Sequence, residues 1–437
     1  MTPAPDGSLS RSVGVPGAVL LGLGSMLGTG VFVGVALAAD VAGPAVVPAT
    51  LAAAALALCN ALSSAQLAAA HPVSGGTYEY GHRLLGYRGW PGFLAGWLFL
   101  GAKGASAATA AVGLCGYLLA LFPQRLLLAQ ADDLSSGATW LIGASAAAFV
   151  VAMTAFVAGG LRRSNWGNAV LVAVAVAGLL AFLWVCYPNA RAVEPAAWRD
   201  GVTWTGIASA VPLLFVAFAG YGRLATLGEE VRDPTVAIPQ AVIVTVGVTT
   251  VLYTAVALAV VATGVRFDLR GAFAGASPLA TLADRTAGSP IPGWFVTTGA
   301  FAALGGSLLN LLLGLSRVLL AMARRGEMPP WFAAVSNDSP RRAVWAVGLA
   351  VAAGAACGSV KLAWSVSACA VLLYYGLTNA AALRLPAESR RYPRAVAWCG
   401  LFGCASLAWF VTPVAAGIVG AWLLAGVGWR AMMGRDE

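Results

Sequence analysis

Two short runs carry most of the chemistry legible in this chain. Gly24-Ser25-Met26-Leu27-Gly28-Thr29-Gly30 interrupts one long apolar segment, and Phe218-Ala219-Gly220-Tyr221-Gly222 interrupts another. A helix that stops near Ser25 and restarts near Gly30 frees the N–H groups of Gly28, Thr29 and Gly30 at the positive end of a half-helix, a seat for a carboxylate. Glycine lets a ligand approach the backbone closely, and the Thr29 hydroxyl adds a donor. At the second run, the carbonyls that end a half-helix can accept from an ammonium group. A ligand with a carboxylate held at one break and an amine at the other is an α-amino acid. The alternative is that these glycines serve only close helix packing, as small-xxx-small faces do.

Lys103 is the second informative residue. No Asp or Glu lies deep in any apolar segment, so it is the one charge at membrane depth, at a cost of about 2.5–3.5 kcal/mol. Gly96, Leu100, Ser106, Ala107 and Ala110 share its helical face and are mostly small, so it points at neighbouring helices. Without a carboxylate partner it is suited to exchanging a proton, or its fixed ammonium replaces a sodium ion. A structural lysine bonded to backbone carbonyls is the competing reading. Phe32, Phe215, Phe218 and Tyr221 either close a pocket at the breaks or fill core. The absence of acid around the breaks favours substrates with neutral side chains. Glu229 and Glu230 end the second broken segment as a solvated helix end or as a salt-bridged inner gate. His71 and His82 fall in the cytoplasmic loop between spans two and three, and two histidines there do not make a metal site, so no metal and no cofactor is expected.

These residues need a membrane-spanning scaffold. The chain has 437 residues, 59% of them apolar and 10% charged, with a mean hydropathy of +0.82. Soluble domains carry about 25% charge. Apolar stretches bounded by Pro, Gly and charge predict twelve spans, near 13–39, 44–70, 89–121, 138–158, 165–187, 203–227, 239–263, 292–323, 343–360, 362–383, 395–412 and 414–429. With the N-terminus in the cytoplasm, most of the 26 Lys and Arg residues fall on the cytoplasmic side, which places both termini inside. The net charge of +9 is thus an orientation signal and does not imply nucleic acid. All seven cysteines sit within or at the ends of spans and read as small core residues. Residues 1–12 form a cytoplasmic tail, and the first apolar stretch, long enough to span, stays attached.

The motifs resemble those of the amino acid–polyamine–organocation transporter superfamily. Gly24 to Phe32 is similar to its first-span signature, Pro72 to Tyr80 to its second loop, and Gly96-Trp97 to its third span. Phe215 to Tyr221 leads into Glu229-Glu230-Val231-Arg232-Asp233-Pro234, and Ser316-Arg317 through Met328-Pro329 matches the end of span eight. The resemblance implies an all-α fold of about twelve transmembrane helices, with a five-plus-five inverted repeat and discontinuous helices one and six. Repeat one covers about 13–190, repeat two about 200–385, and two extra helices about 395–430. It places Gly28, Thr29, Gly30, Phe218, Ala219 and Gly220 at the substrate. Two departures stand out. Gly222-Arg223 replaces the acid that many members carry after the Gly-aromatic pair. Proton-coupled relatives often place a lysine in span five, whereas this chain carries Lys103 in span three.

The expected function is secondary transport of neutral L-amino acids by alternating access, proton-coupled, in the plasma membrane, with no partner protein implied. An exchanger or exporter of amino acids or amines is the alternative within the class, and a non-transporting sensor the alternative outside it. An enzyme would need a nucleophile, base or metal cluster at depth, and the sequence offers none.

Overall fold

Long runs of Ala, Leu and Val punctuated by Gly and Pro must satisfy their own backbone polar groups inside a bilayer, and helices do so. The computed structural model describes residues 13–72, 75–121, 134–159, 165–190, 202–225, 231–263, 277–336 and 339–433. The tail 1–12 and both Glu229 and Glu230 lie outside the described residues. Among the described residues there are twelve helical spans and no strand. Span one comprises Val15–Met26, the more widely wound Gly30–Gly34, and Val35–Ala42. Spans two to five are Val46–Ala70, Trp90–Ala120, Leu134–Ala158 and Asn165–Ala190. Span six runs through Trp204–Phe218, the tighter Ala219–Tyr221, and Gly222–Ala225. Spans seven to twelve are Pro234–Ala262, Ile291–Arg324, Arg341–Ala356, Val360–Leu383, Arg394–Ala408 and Pro413–Met432.

Boundaries differ from expectation by a few residues. Spans nine and eleven are short, at 16 and 15 residues. The turn dividing spans eleven and twelve falls at Thr412-Pro413, with Thr412 extended at φ −58°, ψ 139°. Two short helices fall outside the expected spans: Thr77–Leu84 between spans two and three, and Pro278–Ala287 before span eight. Neither is long enough to cross a bilayer, and each is amphipathic.

Span three packs on span eight, span four on span nine, and span two on span seven. Span ten packs on span three as span five packs on span eight. Exchanging spans one to five for six to ten maps this set of contacts onto itself, the pattern a five-plus-five repeat requires. Span eleven covers spans ten and two, and span twelve covers ten and three. Side chains such as Val251, Leu424 and Trp409 point outward from the bundle, as a lipid-facing surface demands.

Candidate functional site

The break in span one is a two-residue turn at Leu27-Gly28. From Gly30 the helix rewinds with an i→i+5 bond from Val35 N–H to the Gly30 carbonyl. Such wide turns relax the helix locally and recur at functional sites. The two breaks touch. A β-carbon on Gly220 would lie 2.6 Å from the Ser25 carbonyl oxygen and 2.7 Å from the Met26 side chain, so only glycine permits this crossing. On the other side of span one, Gly28 meets Ser307 of span eight at 2.6 Å by the same construction.

The carbonyls at the breaks have taken partners from the protein itself. Tyr253 of span seven shares its hydroxyl hydrogen between the Met26 carbonyl at 2.5 Å and the Ala217 carbonyl at 3.1 Å. The Ala219 carbonyl accepts from the Lys103 ammonium at 3.3 Å and from the Tyr375 hydroxyl of span ten at 3.1 Å. Trp364 Nε1 donates to the Leu213 carbonyl at 3.0 Å, tying span ten to the first half of span six. The Met26, Ala217 and Ala219 carbonyls thus each meet a donor within an apolar bundle, where an unmatched polar group is costly.

A cavity of about 610 Å³ lies against both breaks. Thr29, Gly30, Ala219 and Gly220 line it, whereas Gly28 and Phe218 pack behind its wall. Lys103 lines it as well. Phe32, Phe215 and Tyr221 are fully buried outside the lining. Phe32 stands edge-on to Tyr117, with centroids 6.2 Å apart, and Phe215 edge-on to Tyr375 at 5.7 Å. Tyr221 leans on Tyr375 at 5.1 Å. Sequence reasoning missed Ser307, Asn310, Trp364, Tyr374 and Tyr375, which complete the wall. The one local signal for them is the aromatic set Trp364 and Tyr374-Tyr375, in a span otherwise built mainly of small and aliphatic residues.

The cavity continues to Glu79, Arg324 and Arg325 at the basic end of the bundle. Glu79 is its only carboxylate among the described residues, and it is occupied. Arg325 Nη2 approaches it at 2.6 Å and Arg83 Nε at 3.7 Å. Just behind, Glu327 accepts from the Tyr78 hydroxyl at 2.7 Å and pairs with Arg430 at 3.0 Å. His82, read only as a poor metal ligand, has Nε2 3.2 Å from the same carboxylate. No group of three or more His, Cys, Asp or Glu residues suited to a metal occurs among the described residues.

Comparison with known proteins places this geometry in context. A family model described as amino acid permease matches residues 13–431. An uncharacterized transporter of Mycobacterium tuberculosis is 43% identical over 432 residues, covering 97% of this chain and 91% of its own length. A branched-chain amino acid permease of Bacillus subtilis is 29% identical, covering 78% of this chain and 73% of its own. A methylthioribose transporter of the same organism is 30% identical, covering 80% and 75%. A multi-pass helical bundle with two touching helix breaks beside a central cavity, matched along nearly its whole length by this family, has one assignment: the chain belongs to the amino acid permease family of the amino acid–polyamine–organocation superfamily.

Proposed function

We propose that this protein is a secondary transporter of neutral L-amino acids, working by alternating access and coupled to protons. The observation that carries the reading is the composition of the cavity wall. Backbone from both breaks meets there with the Thr29 hydroxyl and the Lys103 ammonium, while the single carboxylate, Glu79, is held by Arg325 and Arg83. A substrate carboxylate has donors to meet. A cationic side chain has no free counter-charge, and such a charge is not buried unpaired. A branched-chain amino acid permease among the relatives favours a neutral cargo, although cationic amino acid transporters stand among them too. Lys103 is the group that carries the proton, since it lines the cavity without an acidic partner among the described residues.

The basic end of the bundle faces the cytoplasm in this reading, with both chain termini on that side of the plasma membrane. The test is counterflow in proteoliposomes preloaded with single unlabelled amino acids. Exchange with leucine, alanine and serine, but not with lysine, is the expected outcome. Exchange with lysine alone, or with methylthioribose and no amino acid, would overturn it.

A further inference from the structure

The Ala219 carbonyl is the acceptor of the span-six break on the cavity wall, and both of its lone pairs are in use. Of the two donors, the Tyr375 hydroxyl belongs to a fully buried ring wedged among Phe215, Tyr221 and Tyr374. Lys103 lines the cavity as Tyr375 does, but it is a cation on a flexible four-carbon stem. Its other two ammonium hydrogens have no acceptor among the described residues. Among the break carbonyls, then, one acceptor on the cavity wall is held by a movable primary ammonium, the same functional group an amino acid would bring to it.

We infer that the Lys103 ammonium is a tethered stand-in for the substrate's α-ammonium, so that a proton on Lys103 and an amino acid in the cavity exclude one another. The inference rests on the amino acid reading above and adds the sense of the coupling. When the zwitterion's ammonium reaches the Ala219 carbonyl, two like charges compete for one acceptor. The conflict is relieved when one N–H bond of Lys103 breaks. The electron pair stays on Nζ, and the proton passes to water or buffer through the basic end of the cavity. The neutral amine then accepts from the substrate instead of repelling it. By reciprocity, the proton weakens amino acid binding as much as the amino acid weakens the proton's. Mutual exclusion at one site makes the two move in opposite directions, so an inward proton gradient drives the amino acid outward.

The surroundings offer Lys103 no other way to shed the conflict. Spans ten, eight, four, nine and twelve and the Thr77–Leu84 helix pack against its span. Span ten presents Tyr374 and Tyr375 to the cavity, and span eight presents Arg317 and Arg324, with Arg325 just beyond. The Thr77–Leu84 helix presents Glu79, and span six presents Arg223. Spans four, nine and twelve add no described ionisable group to the cavity wall. The one acid there is engaged by Arg325 and Arg83.

The test is titration calorimetry of the purified protein with L-leucine, L-alanine and L-serine in buffers of different ionisation enthalpy. Binding should release up to about one proton, and affinity should strengthen by up to about tenfold per pH unit while Lys103 is charged. Lys103→Met should abolish the release and bind more tightly than the native protein at low pH. Lys103→Arg, a cation that cannot lose its proton, should bind weakly at every pH. Proton uptake on binding, or binding with no proton exchanged in the native protein, overturns the inference and leaves amino acid transport standing. So does a Lys103→Met variant that binds more weakly with an unchanged proton count. Failure of all three amino acids to bind overturns both. The native-protein measurement stands even if a variant does not fold.

Discussion

The Tyr253 hydroxyl occupies the place that a β-carbon on Gly30 would need. The same β-carbon would fall 2.8 Å from Ala217 Cβ. The glycine is therefore fixed by a phenol on span seven and by the first half of span six, besides any service to a ligand. Gly30→Ala should cost about 1–3 kcal/mol through overpacking and displace the two breaks relative to each other. The check is thermal unfolding and uptake together: a lower melting temperature with uptake reduced at least tenfold. Gly247→Ala, on the same span as Tyr253 but with open space around it, should stabilise by about 0.4–1 kcal/mol.

Removing the phenol's oxygen asks the opposite question. Tyr253→Phe keeps the ring against Phe218, whose centroid is 4.9 Å away, but strips the Met26 and Ala217 carbonyls of a shared donor. An unmatched buried acceptor costs about 1–3 kcal/mol. A melting temperature unchanged from the native protein would show that the bridge contributes nothing to the fold.

Sodium should be dispensable. Carbonyls at half-helix ends are the usual seat of a coupling cation, and here Met26, Ala217 and Ala219 accept from Tyr253, Lys103 and Tyr375 instead. Uptake into proteoliposomes should be the same in sodium and in choline buffers. A strict sodium requirement would mean that these donors leave during the cycle.

Much of this arrangement was legible because it is local in sequence. Glycine-rich interruptions of apolar runs mark the breaks wherever they occur, and hydropathy locates the spans. Their partners were not legible. Tyr253 meets Met26 across 227 residues and Tyr78 meets Glu327 across 249, and no period or spacing encodes such pairs. The amphipathic Thr77–Leu84 helix read as a polar loop, so His82 was weighed as a metal ligand when its neighbour is a carboxylate from beyond span eight. Gly28, placed at the substrate by motif position, packs on Ser307; motif position alone does not separate a wall residue from the one behind it.

The Glu327 cluster yields the last prediction. Its carboxylate is buried beside Arg430, whose guanidinium also bonds the Arg88 carbonyl at 2.7 Å and lies 4.9 Å over Trp90. Burial alone would raise the Glu327 carboxyl, but hydrogen bonds from His82, Tyr78 and Arg430 outweigh it and hold the group below its ordinary value. The folded state therefore favours the ionised form. Its contribution is full above the unfolded carboxylate's value and is lost as pH falls through the lower, folded one. Glu327→Gln should remove that acid-side dependence and, by leaving Arg430 buried without its counter-charge, cost about 3–5 kcal/mol. Glu327→Gln combined with Arg430→Met should cost less than Glu327→Gln alone, because no charge is stranded. Thermal unfolding of the single and double variants from pH 7 down to 4 measures both effects. If the double variant melts below the single one, the cation contributes through its stacking on Trp90 and its Arg88 bond more than through the ion pair.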